Sequence, residues 1–330
     1  MGIRYLNKFL RTECKGENIK FINVAELSGK KIAIDISIYL YKFIGDDSLI
    51  ENMYLMLAVF RYYNIIPIFI FDGKAPTEKK ELLRKRANDK SAARAEFNLL
   101  KEQLIGLTDN DDKQEIINSM DLLKKQFITI SREQIEQVKE LIRVYGATYF
   151  DAPGEADELC ASLVIKNKVW ACLSEDMDMF VYGCPRVLRY LSLMKHTAVL
   201  YNTKGILDDL GITQKELREI CVISGTDYNF NSTNSNEPGL YKTLSYFKKF
   251  HKENKKQKNN VDFYNWLLQN TDYIEDYELL INIYNIFDLN NTINSHENIR
   301  VFENIKITNG PIMKNELYSI LEDDGFILNF

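Results

Sequence analysis

Seven carboxylates stand where the apolar runs of this 330-residue chain stop. Asp35 closes KIAID (31–35) and Asp72 closes IIPIFIFD (65–72). Asp176 and Asp178, with Glu175 beside them, follow VWACLS. Glu155 and Asp157 open a predicted helix after DAPG, and Asp227 lies in SGTDY at the end of another. A single acid after a strand is more often a turn residue or a helix cap, and Asp151 is read that way. Several strand-end acids together are different, because residues beyond the carboxyl ends of parallel strands converge on one crevice. So many like charges would repel and carry raised pKa values unless cations neutralised them. Oxygen donors without His or Cys select Mg²⁺ or Mn²⁺, and two such ions about 4 Å apart are a device for hydrolysing phosphodiesters. On residue types alone, a metal centre and a set of structural acids carry equal weight.

The elements that must position these acids follow from periodicity. Short runs rich in β-branched and aromatic residues at 31–35, 65–72, 147–150, 169–176 and 186–193 predict strands. Between them, apolar residues recur at three and four over 38–63, 78–104, 112–126, 131–145 and 155–166, which predicts helices. Ser131 and Gln134 form a predicted capping box, and Gly146 a C-terminal stop. The alternation gives an α/β fold with a mainly parallel sheet, and 74–128 is long enough to be an insertion with its own helices. After residue 228 the texture shifts. Nineteen of the thirty asparagines lie beyond it, and NFNSTNSNEPG (229–239) reads as a loop and a boundary.

Composition narrows the chemistry. The three histidines, His196, His251 and His296, are far apart, so a His-rich zinc site or a Ser-His-Asp triad has few candidates. Five cysteines without a CxxC pair argue against a disulfide framework and for a reducing, intracellular setting. IIPIFIF is far short of the roughly 20 apolar residues a bilayer span needs, so no membrane association is expected. The net charge of −5 averages over patches that act separately. One such patch is KKELLRKRANDKSAAR (79–94), with seven basic residues against two acidic ones on a predicted helix. A charged helix face is usually only solvated; one following FDGKAP could instead meet phosphate.

MGIRYL at the start, KIAIDISIYLYKF, FDGKAP, FDAPGEAD, SEDMDMFVYG and SGTDY occur in the order and spacing of the flap endonucleases, and residues 1–228 resemble the XPG-type structure-specific 5′ nucleases. The resemblance implies a Rossmann-like (PIN-like) sheet with helices on both faces, a helical gateway and cap over about 74–128, and a C-terminal helical region from 229 to 330. It implies two Mg²⁺ ions, replaceable by Mn²⁺, on Asp35, Asp72, Glu155, Asp157, Asp176, Asp178 and Asp227. Asp157 stands where the family usually has Glu. The family's gateway Lys and Arg, which contact the scissile phosphate, carry over to Lys79 and Arg86. Lys80, Arg84 and Lys85 would add backbone attraction, Tyr41 would stack on the terminal nucleotide, and Gly2 resembles the family's small amino terminus near the site.

The pattern breaks after SGTDY. The family's glycine-rich helix-two-turn-helix is replaced by NSNEPGLYKTL, where Gly239 remains as a possible duplex contact. No sliding-clamp motif is seen. The expected activity is metal-dependent cleavage at single-strand to double-strand junctions, foremost 5′ flaps in DNA, by a monomer located in the nucleus or at a cytoplasmic replication site. An RNA-cutting nuclease of the same fold and a noncatalytic junction binder are the alternatives.

Overall fold

The computed structural model describes residues 3–106, 110–228, 239–257, 261–289 and 306–326. Its centre is a seven-stranded sheet of β1 (Ile19–Asn23), β2 (Lys31–Asp35), β3 (Ile66–Phe71), β4 (Thr148–Asp151), β5 (Ala171–Leu173), β6 (Arg186–Ser192) and β7 (Thr197–Asn202), in the order β1-β7-β6-β5-β2-β3-β4. The five strands from β4 to β6 run parallel, while β7 and β1 add an antiparallel edge. The inner strands are apolar on both faces because helices cover both. Ile32, Ala33, Ile34, Ile68, Phe69 and Ile70 are all buried. From β2 the chain steps outward through β3 to β4, then returns to the other side of β2 for β5 and β6. The reversal puts the topological switch point at the carboxyl ends of β2 and β5, the place where open α/β sheets bind ligands.

The chain divides into two compact units. The first comprises Met1–Ile36, Ala58–Ala75 and Ala147–Asn309, and the second Ser37–Leu57, Pro76–Gly146 and Gly310–Phe330. In the first, α7 (Ala156–Ile165) packs on the sheet, and α8 (Asp178–Tyr182) and α10 (Gln214–Ser224) pack beside it. The same core continues into α11 (Gly239–Gln257), α12 (Phe263–Asn270) and α13 (Tyr277–Ile286), through Phe247, Phe250, Phe263 and Phe287. The helices α1 (Leu6–Glu13) and α9 (Thr203–Leu210) complete this unit.

The second unit is helical, with α2 (Ser37–Gly45), α4 (Lys80–Gly106), α5 (Asn110–Lys124), α6 (Arg132–Val144) and α14 (Lys314–Asp323). At the start of α6 the capping box forms as its sequence implies. The Gln134 amide N–H donates to Ser131 Oγ at 3.2 Å, and the Gln134 side chain accepts from the Ser131 N–H at 2.9 Å. Gly146 follows at φ 76°, a left-handed stop. The chain returns to this end with Gly310, whose amide donates to the Gly146 carbonyl at 2.7 Å, and α14 packs against α6.

Several elements differ from expectation. The predicted helix over 38–63 is two helices, α2 and α3 (Leu49–Tyr62), broken at Asp47 with φ 52°. The strand expected over 169–176 pairs only through Ala171–Leu173, so Glu175 and Asp176 sit in a turn. Asp151 closes β4 in register with Phe71 rather than capping a helix. Strands β1 and β7 were not expected; β1 buries only Ile22 fully, while β7 carries the short apolar run Ala198–Tyr201 and pairs antiparallel with both β6 and β1. Among the described residues no helix is long and apolar enough to cross a membrane.

Candidate active site

The turn after β5 is tied to the end of β2 by one hydroxyl. Ser174 Oγ, fully buried, donates to Asp35 Oδ2 at 2.9 Å and accepts the Asp176 N–H at 3.1 Å. The Asp176 carboxylate in turn accepts the Asp178 N–H at 3.0 Å, where α8 begins. Three acids from two adjacent strand ends are thereby fixed by one chain of hydrogen bonds. All three are buried, Asp178 to 1% exposure. Glu175 turns the other way: its side chain accepts the Tyr190 N–H and lies 3.6 Å from Arg189 Nε, while Arg189 donates to the Glu175 carbonyl at 2.8 Å. That pair clamps the turn onto β6.

On the other side of β2, the loop after β3 meets the loop after β4 at a glycine. The Gly73 amide donates to the Gly154 carbonyl at 2.7 Å, and a Cβ on Gly73 would lie 1.9 Å from the Ala152 carbonyl oxygen. Only glycine permits this approach. It places Asp72 Oδ1 2.8 Å from the Ala156 N–H at the amino end of α7, where the helix dipole favours a negative charge. Glu155 occupies the N-cap position of α7 without capping it. Its carboxylate instead accepts the Tyr228 hydroxyl at 2.6 Å. Asp157, two residues further on and buried, accepts the Glu158 N–H at 2.6 Å. Asp227 precedes Tyr228, half-buried in the turn after α10.

The fields of these acids overlap on shared neighbours. Burial first, then Asp157 and Glu155, pushes the Tyr228 phenol far above its ordinary range. Tyr182 is raised by burial and then by charges that include Asp157 and Asp178. The Cys160 thiol is raised by burial, by its contact with Cys172, and by Asp35 and Asp157. Burial and Glu155 raise Glu158. Asp157 acts on three of these groups.

The donor chemistry, carboxylate oxygen at a topological switch point, fits a hard divalent cation. The spacing is another matter. Among the described residues no three His, Cys, Asp or Glu side chains form a group that could hold a metal ion as they stand. Each acid is held by a neighbour instead: Asp35 by Ser174, Asp72 by the α7 amino end, and Glu155 by Tyr228. Converging on one ion requires side-chain rotation about fixed backbone positions.

The remaining expected residues fall elsewhere. Lys79, Lys80, Arg84, Lys85, Arg86 and Tyr41 belong to the second unit. Lys79 ends a 3-10 turn (Thr77–Lys79) and is buried, and Arg86 is half-buried on α4. Gly239 starts α11 in the first unit. A Cβ there would lie 2.5 Å from the Ser224 carbonyl oxygen at the end of α10, so this glycine serves a close approach of two helices. Gly2 lies outside the described residues. Ser174, Tyr228 and Gly73 were inside the recognised motifs without a role assigned to them; Arg189 had no local signal at all.

The chain matches the family models for the XPG N-terminal domain over residues 1–93 and for the XPG I-region over residues 146–227, together more than half its length. It is 32% identical over 250 residues to flap endonuclease 1 of Trypanosoma brucei brucei, an alignment covering 69% of this chain and 61% of that protein. The chain thus spans about three fifths of the curated relatives it matches. In three dimensions it is similar to the catalytic core of Rad2 in complex with DNA substrate, with a TM-score of 0.65 and 20% identity, covering 98% of this chain and 95% of that one. It is also similar to the Holliday junction-resolving enzyme GEN1 in complex with product DNA and Mg²⁺ ion, with a TM-score of 0.59 and 17% identity, covering 98% and 73%. Those likenesses establish the PIN-like fold. With both conserved regions matched in order, and with their acids at the carboxyl ends of β2, β3, β4 and β5, the chain belongs to the XPG family.

Proposed function

We propose that this protein is a structure-specific nuclease that hydrolyses phosphodiesters at single-strand to double-strand junctions, foremost 5′ flaps in DNA. The observation that carries the reading is the set of oxygen-only donors on adjacent parallel strand ends, at the point where strand order reverses. The Rad2 core was solved with DNA substrate and GEN1 with product DNA and Mg²⁺, which favours DNA and this cation here. Asp35, Asp72, Glu155, Asp157, Asp176, Asp178 and Asp227 would hold Mg²⁺, two ions in all, with Mn²⁺ able to substitute. Bound there, the metal supplies Lewis acidity and a water made acidic enough to attack at neutral pH.

The chain's own residues have separable tasks. Ser174 and Tyr228 orient Asp35 and Glu155, so that the carboxylates enter the reaction at fixed positions. Arg86 on α4, with Lys79 in the 3-10 turn that precedes the helix, would present positive charge to the scissile phosphate and stabilise the charge that develops on it. Tyr41 would stack on a base of the unpaired strand, a contact any base can make. Lys80, Arg84 and Lys85 would add salt-sensitive attraction to the backbone. The protein would act as a monomer, in the nucleus or at a cytoplasmic site of DNA replication. The second unit's α4 and α5 would form the gateway for the free 5′ end.

The test is cleavage of matched substrates, a 5′ DNA flap, a nicked duplex, a single strand and an RNA flap, with Mg²⁺ or EDTA and with Asp176→Ala. Incision at the flap base that needs Mg²⁺ and vanishes in the variant is the expected result. Cleavage of RNA alone would transfer the reading to a ribonuclease, and junction binding without cleavage would leave a scaffold.

A further inference from the structure

Within the second unit, the end of α2, the middle of α4 and the segment after α5 line an open cavity of about 340 Å³. Its lining includes Tyr41, Lys42, Gly45, Asp46, Lys90 and Lys125. A Cβ on Gly45 would approach Ile128 Cδ1 to 2.9 Å, so a larger residue would crowd the wall. Lys90 is anchored rather than free to swing. Its Nζ donates to the Ile128 carbonyl at 2.9 Å and lies 5.1 Å from the centre of the Tyr41 ring. The neighbouring Lys124 is neutralised by Asp47 at 2.8 Å, whereas no ion pair joins Lys42, Lys90 or Lys125 to a described carboxylate.

Three lysines against one aspartate, Asp46, give the lining an excess of positive charge beside an aromatic ring. An internal phosphodiester carries a single negative charge. A terminal phosphate monoester carries about −1.5 to −2 at pH 7 and presents three acceptor oxygens. The volume lies at the low end of the roughly 300–1,000 Å³ range of ligand pockets, which suits one nucleotide rather than a length of strand. Tyr41 is 43% exposed, leaving ring surface for a base.

We propose that this cavity binds the 5′-terminal phosphate of the unpaired strand, with its first base against Tyr41. The inference rests on the nuclease reading for its ligand and adds that the protein distinguishes a 5′-phosphate from a 5′-hydroxyl end. Lys42, Lys90 and Lys125 are the residues that make the distinction.

The experiment is fluorescence anisotropy in EDTA with the full chain and labelled oligothymidylates ending in 5′-phosphate, 5′-hydroxyl or 3′-phosphate. Thymidine 5′-monophosphate serves as competitor. The 5′-phosphorylated strand should bind about tenfold more tightly than the other two, the size of a charge-assisted contact. Lys42→Ala and Lys125→Ala, both surface changes checked for folding by circular dichroism, should each shrink that ratio towards one. Equal affinity for all three ends overturns the proposal. So does a preference that survives in both variants, or a mononucleotide that binds as tightly as the strand, which would make this a free-nucleotide site. The readout is binding, so the two readings fail separately. A protein that prefers 5′-phosphate ends but cuts nothing refutes the nuclease, and one that cuts flaps without preferring either end refutes the pocket.

Discussion

Replacing Tyr228 with Phe removes one oxygen and leaves the ring. The hydroxyl donates to Glu155 at 2.6 Å, while the ring packs edge-on against Phe287 at 5.4 Å. Tyr228 is 8% exposed and Glu155 is half-buried. The same hydroxyl also accepts from the buried Tyr182, so Tyr228→Phe leaves the Tyr182 hydroxyl without that acceptor. The stability cost of Tyr228→Phe should therefore be about 1–3 kcal/mol, the range for a buried polar group that loses its partner. Activity responds differently, because Glu155 then samples several rotamers and has to be fixed at each turnover. A hydrogen bond to a charged group contributes roughly 1.5–3 kcal/mol, and 1.36 kcal/mol is tenfold in rate, so single-turnover flap cleavage should fall by about tenfold or more. The loss should lie in the rate at saturating substrate rather than in substrate affinity, and should ease as Mg²⁺ is raised. Urea denaturation and single-turnover cleavage on the same preparation give both numbers. A variant that cuts within twofold of the parent, or loses activity only in proportion to folded protein, would refute the positioning argument.

Three further outcomes follow from the geometry. Ser174→Ala takes the acceptor from the buried Asp176 N–H and a donor from Asp35; it should destabilise the protein by ~1–3 kcal/mol and abolish most cleavage, with Ser174→Thr restoring both, as denaturation and cleavage assays would register. Gly73→Ala drives a Cβ to 1.9 Å from the Ala152 carbonyl oxygen, so the β3 and β4 loops must part, at a cost of about 1–3 kcal/mol, and Asp72 leaves the α7 amino end; unchanged thermal unfolding would contradict this. Glu219 on α10 has its carboxyl pushed up from 4.5 to about 7 by burial, with Lys215 opposing. The folded state thus holds the proton more tightly, and stability falls as pH rises from the unfolded pKa through the folded one, the penalty being complete above about 7. Glu219→Gln should therefore gain stability relative to the parent on going from pH 5 to pH 8, by on the order of 3 kcal/mol at most, and parallel pH profiles in urea would refute it.

The parallel strands were legible because burial on both faces forces near-continuous apolar runs, as in Ile66–Phe71, and because each run stops at a chemically distinct residue. Edge strands lack that constraint. β1 exposes Lys20, Phe21 and Asn23, and its identity as a strand comes from pairing with β7, a contact almost 180 residues distant in sequence. The break between α2 and α3 was hidden for another reason. Asp46, Asp47 and Ser48 fit a helix period as well as a turn, and what decides is Asp47 at φ 52°.

In the site, side chains that react differ from side chains that position in how visibly they mark the sequence. Asp35, Asp72 and Asp176 are conspicuous as acids ending apolar runs, whereas Ser174 is an ordinary serine until Asp35 lies 2.9 Å away. Gly73 and Tyr228 likewise gain meaning from partners on other elements, the Ala152 carbonyl and Glu155. The same distinction bears on the metal. Residue types alone predict a cage, yet the hydrogen bonds that hold Asp35, Asp72 and Glu155 are made to a serine, a helix end and a tyrosine. Those bonds each hold one oxygen of a carboxylate in place. Asp157 differs, since it is buried in the first turn of α7 and one methylene shorter than the glutamate usual at this place. Asp157→Glu, which restores the family's length, should therefore tighten Mg²⁺ dependence of cleavage, and a variant that needs more Mg²⁺ than the parent would show that the shorter acid is matched to its surroundings.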